Sequence, residues 1–289
     1  MIEGLKRHVE VLSLDIGKRN VFYYKNYLKT KEYILENLRN LNYEIREIKY
    51  RSYGYDVFII EVGKIFSSLE IFIIGAHYDS FYDSPGADDN ATGVSLLIEI
   101  AKSFSNFNFK KDIRFLFFPN EEPPFFASKG MGSEVYAEIL TKRKEKVELM
   151  ISLESIGYYS DEKNSQKYPF PLNFLYPDTA NFIGIVSNLR SRFYMKKLSE
   201  IFKNNTSIQV QYLAFPPIIP EMNFSDHYPF WKRGTKALLV TDTAFLRNPN
   251  YHTKFDLPET IDYKRLFEVY KGIASFIEFL NSSFTFQKI

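Results

Sequence analysis

Apolar residues along this chain follow two patterns, and each pattern predicts a different secondary structure. The segment 21–42 places leucines at helical spacing among lysine, glutamate and asparagine, as on one face of an amphipathic helix. The segment 263–280 has the same periodicity, with an apolar stripe that includes Leu266, Ile273 and Leu280. Further helices are expected over 88–104, 133–145 and 189–204.

Short, nearly continuous apolar runs form the second pattern. The run "DIRFLFFPN" at 112–120 is typical of a strand that is buried on both faces of a sheet. Because such runs alternate with the predicted helices, the sequence predicts an α/β fold: a three-layer sandwich with a mixed, largely parallel central sheet flanked by helices. No repeat or linker divides the chain, so one domain over 1–289 is expected. The other strand-like runs lie at 56–62, 69–77, 146–155, 181–187 and 235–242.

Composition excludes several classes of function. The 37 basic and 35 acidic residues are interspersed and give a formal charge of +2, so no basic face indicates nucleic acid or anionic lipid. The chain has no cysteine, which excludes disulfides and thiolate metal sites. It shows neither a signal peptide nor a membrane-spanning run, which favours a cytoplasmic protein unless a leader has been removed. The oligomeric state is left open.

Polar residues follow the predicted strands at the points where the strands end. In open α/β sheets, ligands bind beyond the carboxyl ends of the strands, so these residues are candidates for a common site. Two long loops at 158–178 and 215–231, rich in proline and aromatic residues, are expected to shape a substrate pocket. The candidate site residues are His77, Asp88, Glu121, Glu122, Glu154 and His252.

Imidazole and carboxylate groups are the ligands that zinc uses where thiolates are absent. Two zinc ions about 3.5–4 Å apart need a bridging carboxylate and roughly two further ligands each, which makes five. With Glu121 set aside, five candidates remain, and Glu121 is then available as a general base. Asp79, two residues after His77, could accept a hydrogen bond from the far nitrogen of that histidine and fix its tautomer.

Each candidate also has an ordinary structural explanation. The recurrence of such residues at several strand ends favours the metal site, because packing alone does not require it. The alternatives are a packed His77, a helix N-cap at Asp88, a solvated Glu121–Glu122 pair, a buried ion pair at Glu154 and an exposed loop residue at His252.

Six motifs in chain order resemble those of the co-catalytic zinc aminopeptidase family. This family includes bacterial leucyl-type aminopeptidases and the protease domains of glutamate carboxypeptidases, and glutaminyl cyclases share its fold. The resemblance implies a zinc exopeptidase fold and a metallo-aminopeptidase that hydrolyses the N-terminal peptide bond of a peptide with a free N-terminus. The motifs are "GAHYDS", "PGADDNATG", "NEEPPFF" with "MGS", "ISLESIGY", "SDHYPF" and "YHTKFD", between residues 75 and 256.

The resemblance also implies roles for individual residues. His77 and Glu154 would complete one zinc site, Glu122 and His252 would complete the other, and Asp88 would bridge them. The peptide bond after the bridging aspartate is cis in relatives. The same ligands would accept Co²⁺ or Mn²⁺.

The catalytic roles implied by the resemblance belong to other residues. Glu121 would act as general base and acid towards a metal-bridging water, and Asp79 would orient His77. Tyr251 resembles a tyrosine that stabilises the oxyanion in some relatives. Asp226 resembles an aspartate near the site, without an assigned role, and its neighbour His227 is expected to be structural.

Two departures from the family pattern affect the expected zinc chelation and leave the substrate specificity open, and other functions of the same fold are alternatives. Position 154 is Glu where many relatives have Asp, and "PPFF" follows the paired glutamates where many relatives have a glycine-containing loop. The alternatives are a single-zinc glutaminyl-peptide cyclotransferase, a non-catalytic binding module of the same fold, and a carboxypeptidase or dipeptidase. The last would need a basic group for the substrate carboxylate, such as Arg192, Arg247 or Lys254. The paired aspartates and Tyr251 favour the aminopeptidase over the cyclase.

Overall fold

The structure is a computed structural model that describes residues 1–66, 70–215 and 223–282. Its centre is one eight-stranded sheet. The strands are β1 (Glu44–Ser52), β2 (Tyr55–Gly63), β3 (Ile71–His77), β4 (Asp112–Phe118), β5 (Val147–Glu154), β6 (Phe182–Ser187), β7 (Gln209–Ala214) and β8 (Ala237–Thr241).

The sheet order is β1-β2-β4-β3-β5-β8-β6-β7. The four central strands β4, β3, β5 and β8 run parallel to one another, while β2 and β6 join them as antiparallel neighbours. His77 is paired with Phe118 and Glu154 with Thr241, so the carboxyl ends of the central strands lie side by side. These carboxyl ends carry the candidate site.

Helices cover both faces of the sheet. Strand residues alternate between the two cores: Phe72 and Ile74 pack in the larger one, and Ile71 and Ile73 in the smaller one. The larger core packs against α1, α2, α3, α5 and α7, and the smaller against α4 and α6. The helices are α1 (Ile2–Glu10), α2 (Tyr24–Leu38), α3 (Gly93–Ser103), α4 (Gly132–Lys142), α5 (Arg192–Asn205), α6 (Tyr228–Lys232) and α7 (Tyr263–Ser282).

The predicted fold class is confirmed, and the structure adds four helices and strands that the sequence analysis did not predict. These are the helices α1 and α6 and the edge strands β1 and β7. The segment 215–231, predicted as a loop, contains α6, and its residues 216–222 lie outside the described residues, as does residue 69 of a predicted strand. Within the described part of the chain, no helix is both long and apolar enough to cross a membrane.

Candidate metal centre and adjoining cleft

The carboxyl ends of the central strands bring most of the predicted ligands together. His77 and Glu154 are the last residues of β3 and β5, and Glu122 follows β4 after a short turn. His252 reaches the same place from the long loop after β8. Parallel strands end together, which is why residues far apart in sequence meet here.

The ligand side chains form two groups that share one residue, Asp89. In the first group, Nε2 of His77 lies 3.3 Å from Oδ1 of Asp89 and 3.1 Å from Oε2 of Glu154. In the second, Nε2 of His252 lies 3.1 Å from Oδ2 of Asp89 and 3.1 Å from Oε2 of Glu122. Within each group, the candidate ligand atoms all lie within 4.8 Å of one another. We call these groups the His77 group and the His252 group.

The unsatisfied atoms of these side chains fit metal ions. Both histidine Nε2 atoms, both carboxylate oxygens of Asp89 and Oε1 of Glu122 are buried without an aligned hydrogen-bond partner among the described residues. Such groups are costly unless something binds them, and imidazole with carboxylate is the donor set of zinc. This donor set supports zinc as the metal.

The electrostatics of the cluster favour bound positive charge. Burial opposes ionisation of Asp89, but His252 and His77 hold the pKa of its carboxyl well below the usual range. Burial and then the charge of Asp89 raise the pKa of Glu122 to about 8. Burial would lower the pKa of His252, but Asp89 and Glu122 raise it to about 10. The carboxylates therefore attract cations strongly.

The structure differs from the sequence prediction at the shared ligand, since Asp89 rather than Asp88 lies between the histidines. The carboxylate of Asp88 points elsewhere and accepts hydrogen bonds from the backbone N–H of Gly157 at 2.9 Å and from Nδ2 of Asn248 at 2.9 Å. Both carboxylate oxygens of Asp88 therefore accept hydrogen bonds, and they connect its loop to the loops that carry Gly157 and Asn248. The cis peptide likewise follows Asp89 and precedes Asn90 instead of following Asp88.

The loop that carries Asp89 is held by residues that the sequence analysis did not single out. Asp256 accepts the backbone N–H groups of Asp88 at 2.9 Å and Asp89 at 3.1 Å. Asn90 accepts the N–H of Gly93 at 3.1 Å, as a residue that caps α3 does. Asp256 ends the motif "YHTKFD", so its place in that motif was the available signal.

Asp79 and Glu121 lie beside the two ligand groups. Nδ1 of His77 lies 3.2 Å from the backbone oxygen of Asp79 and 3.5 Å from its Oδ1. The Asp79 carboxylate also accepts the backbone N–H groups of Glu121 and Glu122, each at 3.1 Å. Burial raises the pKa of Glu121 well above its ordinary value, and the carboxylates of Glu154 and Glu122 act in the same direction.

Two serines fix the carboxylate of Glu154. Ser225 donates to Oε2 at 2.8 Å, and Ser155 donates to Oε1 at 3.2 Å. Ser225 opens the motif "SDHYPF", in which the sequence analysis noted only Asp226 and His227. Asp226 is fully buried near the cluster, and its role stays unassigned.

An apolar cleft of about 970 Å³, including its open mouth, adjoins the metal centre. Its inner end, next to the metal centre, is lined by Glu121, Glu154 and Tyr251. Its walls come from the strands β6 and β7 and from several loops. The loop 158–178 lines part of the cleft, and Phe224 lines it from the described part of the segment 215–231. Other wall residues are Tyr168, Leu172, Tyr176, Phe182, Ile185, Leu213, Phe245 and Leu246.

Comparison with known proteins identifies the family. The profile of Peptidase family M28 matches residues 62–277, which is more than half of the chain, and the chain belongs to that family. The predicted resemblance, the fold and the class of metallopeptidase are confirmed. A peptidase family implies a peptide as the substrate.

Individual relatives support the same conclusion. The uncharacterized protein YfbL of Escherichia coli K12 is 32% identical over 286 residues, covering 95% of this chain and 87% of that protein. The aminopeptidase YwaD of Bacillus subtilis is 35% identical over 100 residues, covering 34% of this chain and 21% of that protein. The fold is similar to BSAP, a zinc aminopeptidase from Bacillus subtilis, with a TM-score of 0.71, 15% identity and coverage of 96% and 95% of the two chains.

Proposed function

We propose that this chain is a two-zinc aminopeptidase that cleaves the N-terminal peptide bond of peptides with a free N-terminus. The observation that carries the proposal is the position of Asp89, which directs one oxygen towards His77 and the other towards His252. A carboxylate shared in this way is what a pair of neighbouring zinc ions requires. The His77 group would hold one ion and the His252 group the other.

When bound, the zinc ions would polarise the scissile carbonyl and make a water molecule a better nucleophile. Glu121 is the proposed proton carrier, because its side chain lines the inner end of the cleft and lies outside both ligand groups. It would accept a proton from the attacking water and return it to the leaving amine.

Two further features would bind the substrate. The hydroxyl of Tyr251, beside Glu121 and Glu154 on the cleft, would donate to the carbonyl oxygen as negative charge develops there. The carboxylate of Glu154 would attract the substrate α-amine. The apolar cleft would take a large apolar side chain of the N-terminal residue.

The decisive variant is Glu121→Gln, which keeps the shape of the side chain and removes its basicity. We expect it to retain about two zinc ions per chain and to lose about 10²–10⁴-fold in turnover of aminoacyl nitroanilides. Glu162→Gln, on an exposed part of the loop 158–178, is the matched control and should keep full activity. Elemental analysis and steady-state kinetics give the two readouts.

Other results would select another function. Full turnover by Glu121→Gln would contradict the proposed proton carrier. One zinc ion per chain, with conversion of an N-terminal glutaminyl peptide to a pyroglutamyl product, would favour the cyclase. Absence of both zinc binding and turnover in the parent protein would favour a binding module.

A further inference from the structure

His252 lies between two aromatic rings. The centroid of its imidazole is 3.9 Å from that of Phe81, with an angle of 5° between the planes. The centroid of Tyr251 is 3.8 Å away on an almost parallel plane, at 17°. Two near-parallel rings at these distances cannot occupy the same face of one imidazole, so they cover its opposite faces.

The stacking takes the place of a hydrogen bond that a ligating histidine normally makes. The far nitrogen of such a histidine usually donates to a carboxylate or carbonyl, which fixes the ring orientation, and His77 has Asp79 for this purpose. Across the described ranges, Nδ1 of His252 has no hydrogen-bond partner. Its side chain is 23% exposed and its backbone has a left-handed φ of 60°. Apart from the approach of Nε2 to Asp89 and Glu122, the two stacked rings are therefore the main restraint on the orientation of this imidazole.

The loop that carries Phe81 is itself firmly held. Nδ2 of Asn20 donates to the backbone oxygens of Ser80 at 3.0 Å and of Tyr82 at 2.9 Å, on both sides of the phenylalanine. The buried guanidinium of Arg19 donates to the backbone oxygen of Tyr78 at 3.0 Å. Phe81 therefore presents its ring from a fixed position.

We propose that Phe81 is a positioning residue that holds His252 with Nε2 directed towards Asp89 and Glu122. This inference rests on the proposed metal centre. The terminal torsion of histidine has broad minima, so a ring without lateral support samples many orientations. Flat rings on both faces keep the imidazole in one plane, and the negative face of phenylalanine attracts an imidazole that a cation has made more positive.

The test separates the two metal groups by removing one ligand from each. In a Glu154→Ala background only the His252 group keeps its ligands, and in a His252→Ala background only the His77 group does. Zinc affinity is measured in each background by competition with a chromophoric chelator. We expect Phe81→Leu to weaken binding about tenfold or more in the first background and to leave it unchanged in the second.

Two controls accompany this comparison. Phe81→Tyr retains a flat ring and should keep the zinc affinity of the parent residue in the Glu154→Ala background. Tyr82→Leu removes a neighbouring exposed ring that contacts Phe22, and it should have no effect. If Phe81→Leu does not fold, as judged by thermal unfolding of the metal-free protein, Phe81→Met replaces it.

The possible failures are distinct. Unchanged affinity of Phe81→Leu in the Glu154→Ala background, or equal weakening in both backgrounds, would overturn the role of Phe81 and leave the metal centre intact. If His252→Ala itself binds two zinc ions as tightly as the parent chain, the proposed metal centre is wrong, and the inference about Phe81 falls with it.

Discussion

The two halves of the metal centre hold their histidines by different means. His77 ends a central strand, is fully buried, and faces Asp79 with its far nitrogen. His252 lies in a loop, is partly exposed, and is confined by the rings of Phe81 and Tyr251. One ligand is positioned by the sheet and a polar partner, and the other by aromatic stacking on loops.

The carboxylates show the same contrast. Glu154 receives hydrogen bonds from two serines, whereas the buried Oε1 of Glu122 has no partner in the described part of the chain. Preorganised ligands lose less conformational freedom when they bind an ion. We therefore expect the His77 group to bind zinc more tightly than the His252 group, a difference that titration of the metal-free protein would reveal.

The largest effect is expected for Asp89→Asn, which removes the carboxylate that the His77 group and the His252 group share. The loss of the shared carboxylate should release both zinc ions, as elemental analysis after dialysis would show. Turnover should fall by about 10³-fold or more, because bound metals supply several kcal/mol of transition-state stabilisation and each 1.4 kcal/mol is worth about tenfold.

Asp88→Asn is the matched control for Asp89→Asn. The asparagine side chain can still accept a hydrogen bond from the N–H of Gly157. The hydrogen bond with Asn248 should change, but neither ligand group includes that residue. We expect both metals to be retained, with a loss of about 1–3 kcal/mol in the free energy of unfolding. Metal loss in Asp88→Asn but not in Asp89→Asn would restore Asp88 as the shared ligand.

A smaller effect should distinguish the halves from each other. Asp79→Asn removes the negative charge of the carboxylate whose Oδ1 lies 3.5 Å from Nδ1 of His77, and leaves the backbone oxygen at 3.2 Å in place. Because changes beside a ligating histidine cost about 10–100-fold in metal affinity, we expect a loss near the lower end of this range. In the His252→Ala background, which isolates the His77 group, chelator competition should show this loss. The effect should be weaker in the Glu154→Ala background, because the His252 group that remains there contacts Asp79 only through the backbone N–H of Glu122.

Asp83→Asn serves as the control for Asp79→Asn, since Asp83 is an exposed residue of the same loop paired with Lys18. It should leave zinc affinity unchanged in both backgrounds. Equal weakening of both groups by Asp79→Asn would mean that Asp79 supports the loop as a whole and does not orient His77 in particular.

The predictability of the fold differs between the centre and the edges of the sheet. The central strands were predicted because burial on both faces requires continuous apolar runs, as in 112–120. The edge strand β1 has the sequence "EIREIKYRS", in which three apolar residues stand among polar ones on a half-exposed strand. The adjacent polar residues Arg46 and Glu47 interrupt the alternation, so the signal for a strand is weaker than that of a continuous apolar run.

The candidate site divides in the same way. His77 and Glu154 were predictable because strand ends converge by topology. The sequence could not decide between Asp88 and Asp89 as the shared ligand. That choice depends on the dihedral angles of an irregular turn, in which Asp89 has φ −105° and ψ 92°. Phe81 carries no chemical signal of its own, and its importance follows only from its contact with the distant His252.

The smallest expected effect concerns the wall of the apolar cleft. Arg247, from the loop after β8, is buried and donates to Gln166 at 2.9 Å and to the backbone oxygen of Phe182 at 2.9 Å. These contacts tie the loop 158–178 to the sheet. Arg247→Lys keeps the charge but loses the forked geometry, so the wall should loosen without a change in the ligands.

We expect the KM of Arg247→Lys for substrates with a large apolar N-terminal residue to rise about three- to tenfold, the scale of one lost hydrogen bond of about 1 kcal/mol. The kcat, the metal content and the KM for alanyl substrates should change little, because only the wall is altered. Arg265→Lys is the matched control, since Arg265 pairs with Asp161 on the outside of the same loop. A fall in kcat together with loss of metal would show instead that Arg247 supports the loop that carries His252. In that case the same loop would position both a metal ligand and the wall of the cleft.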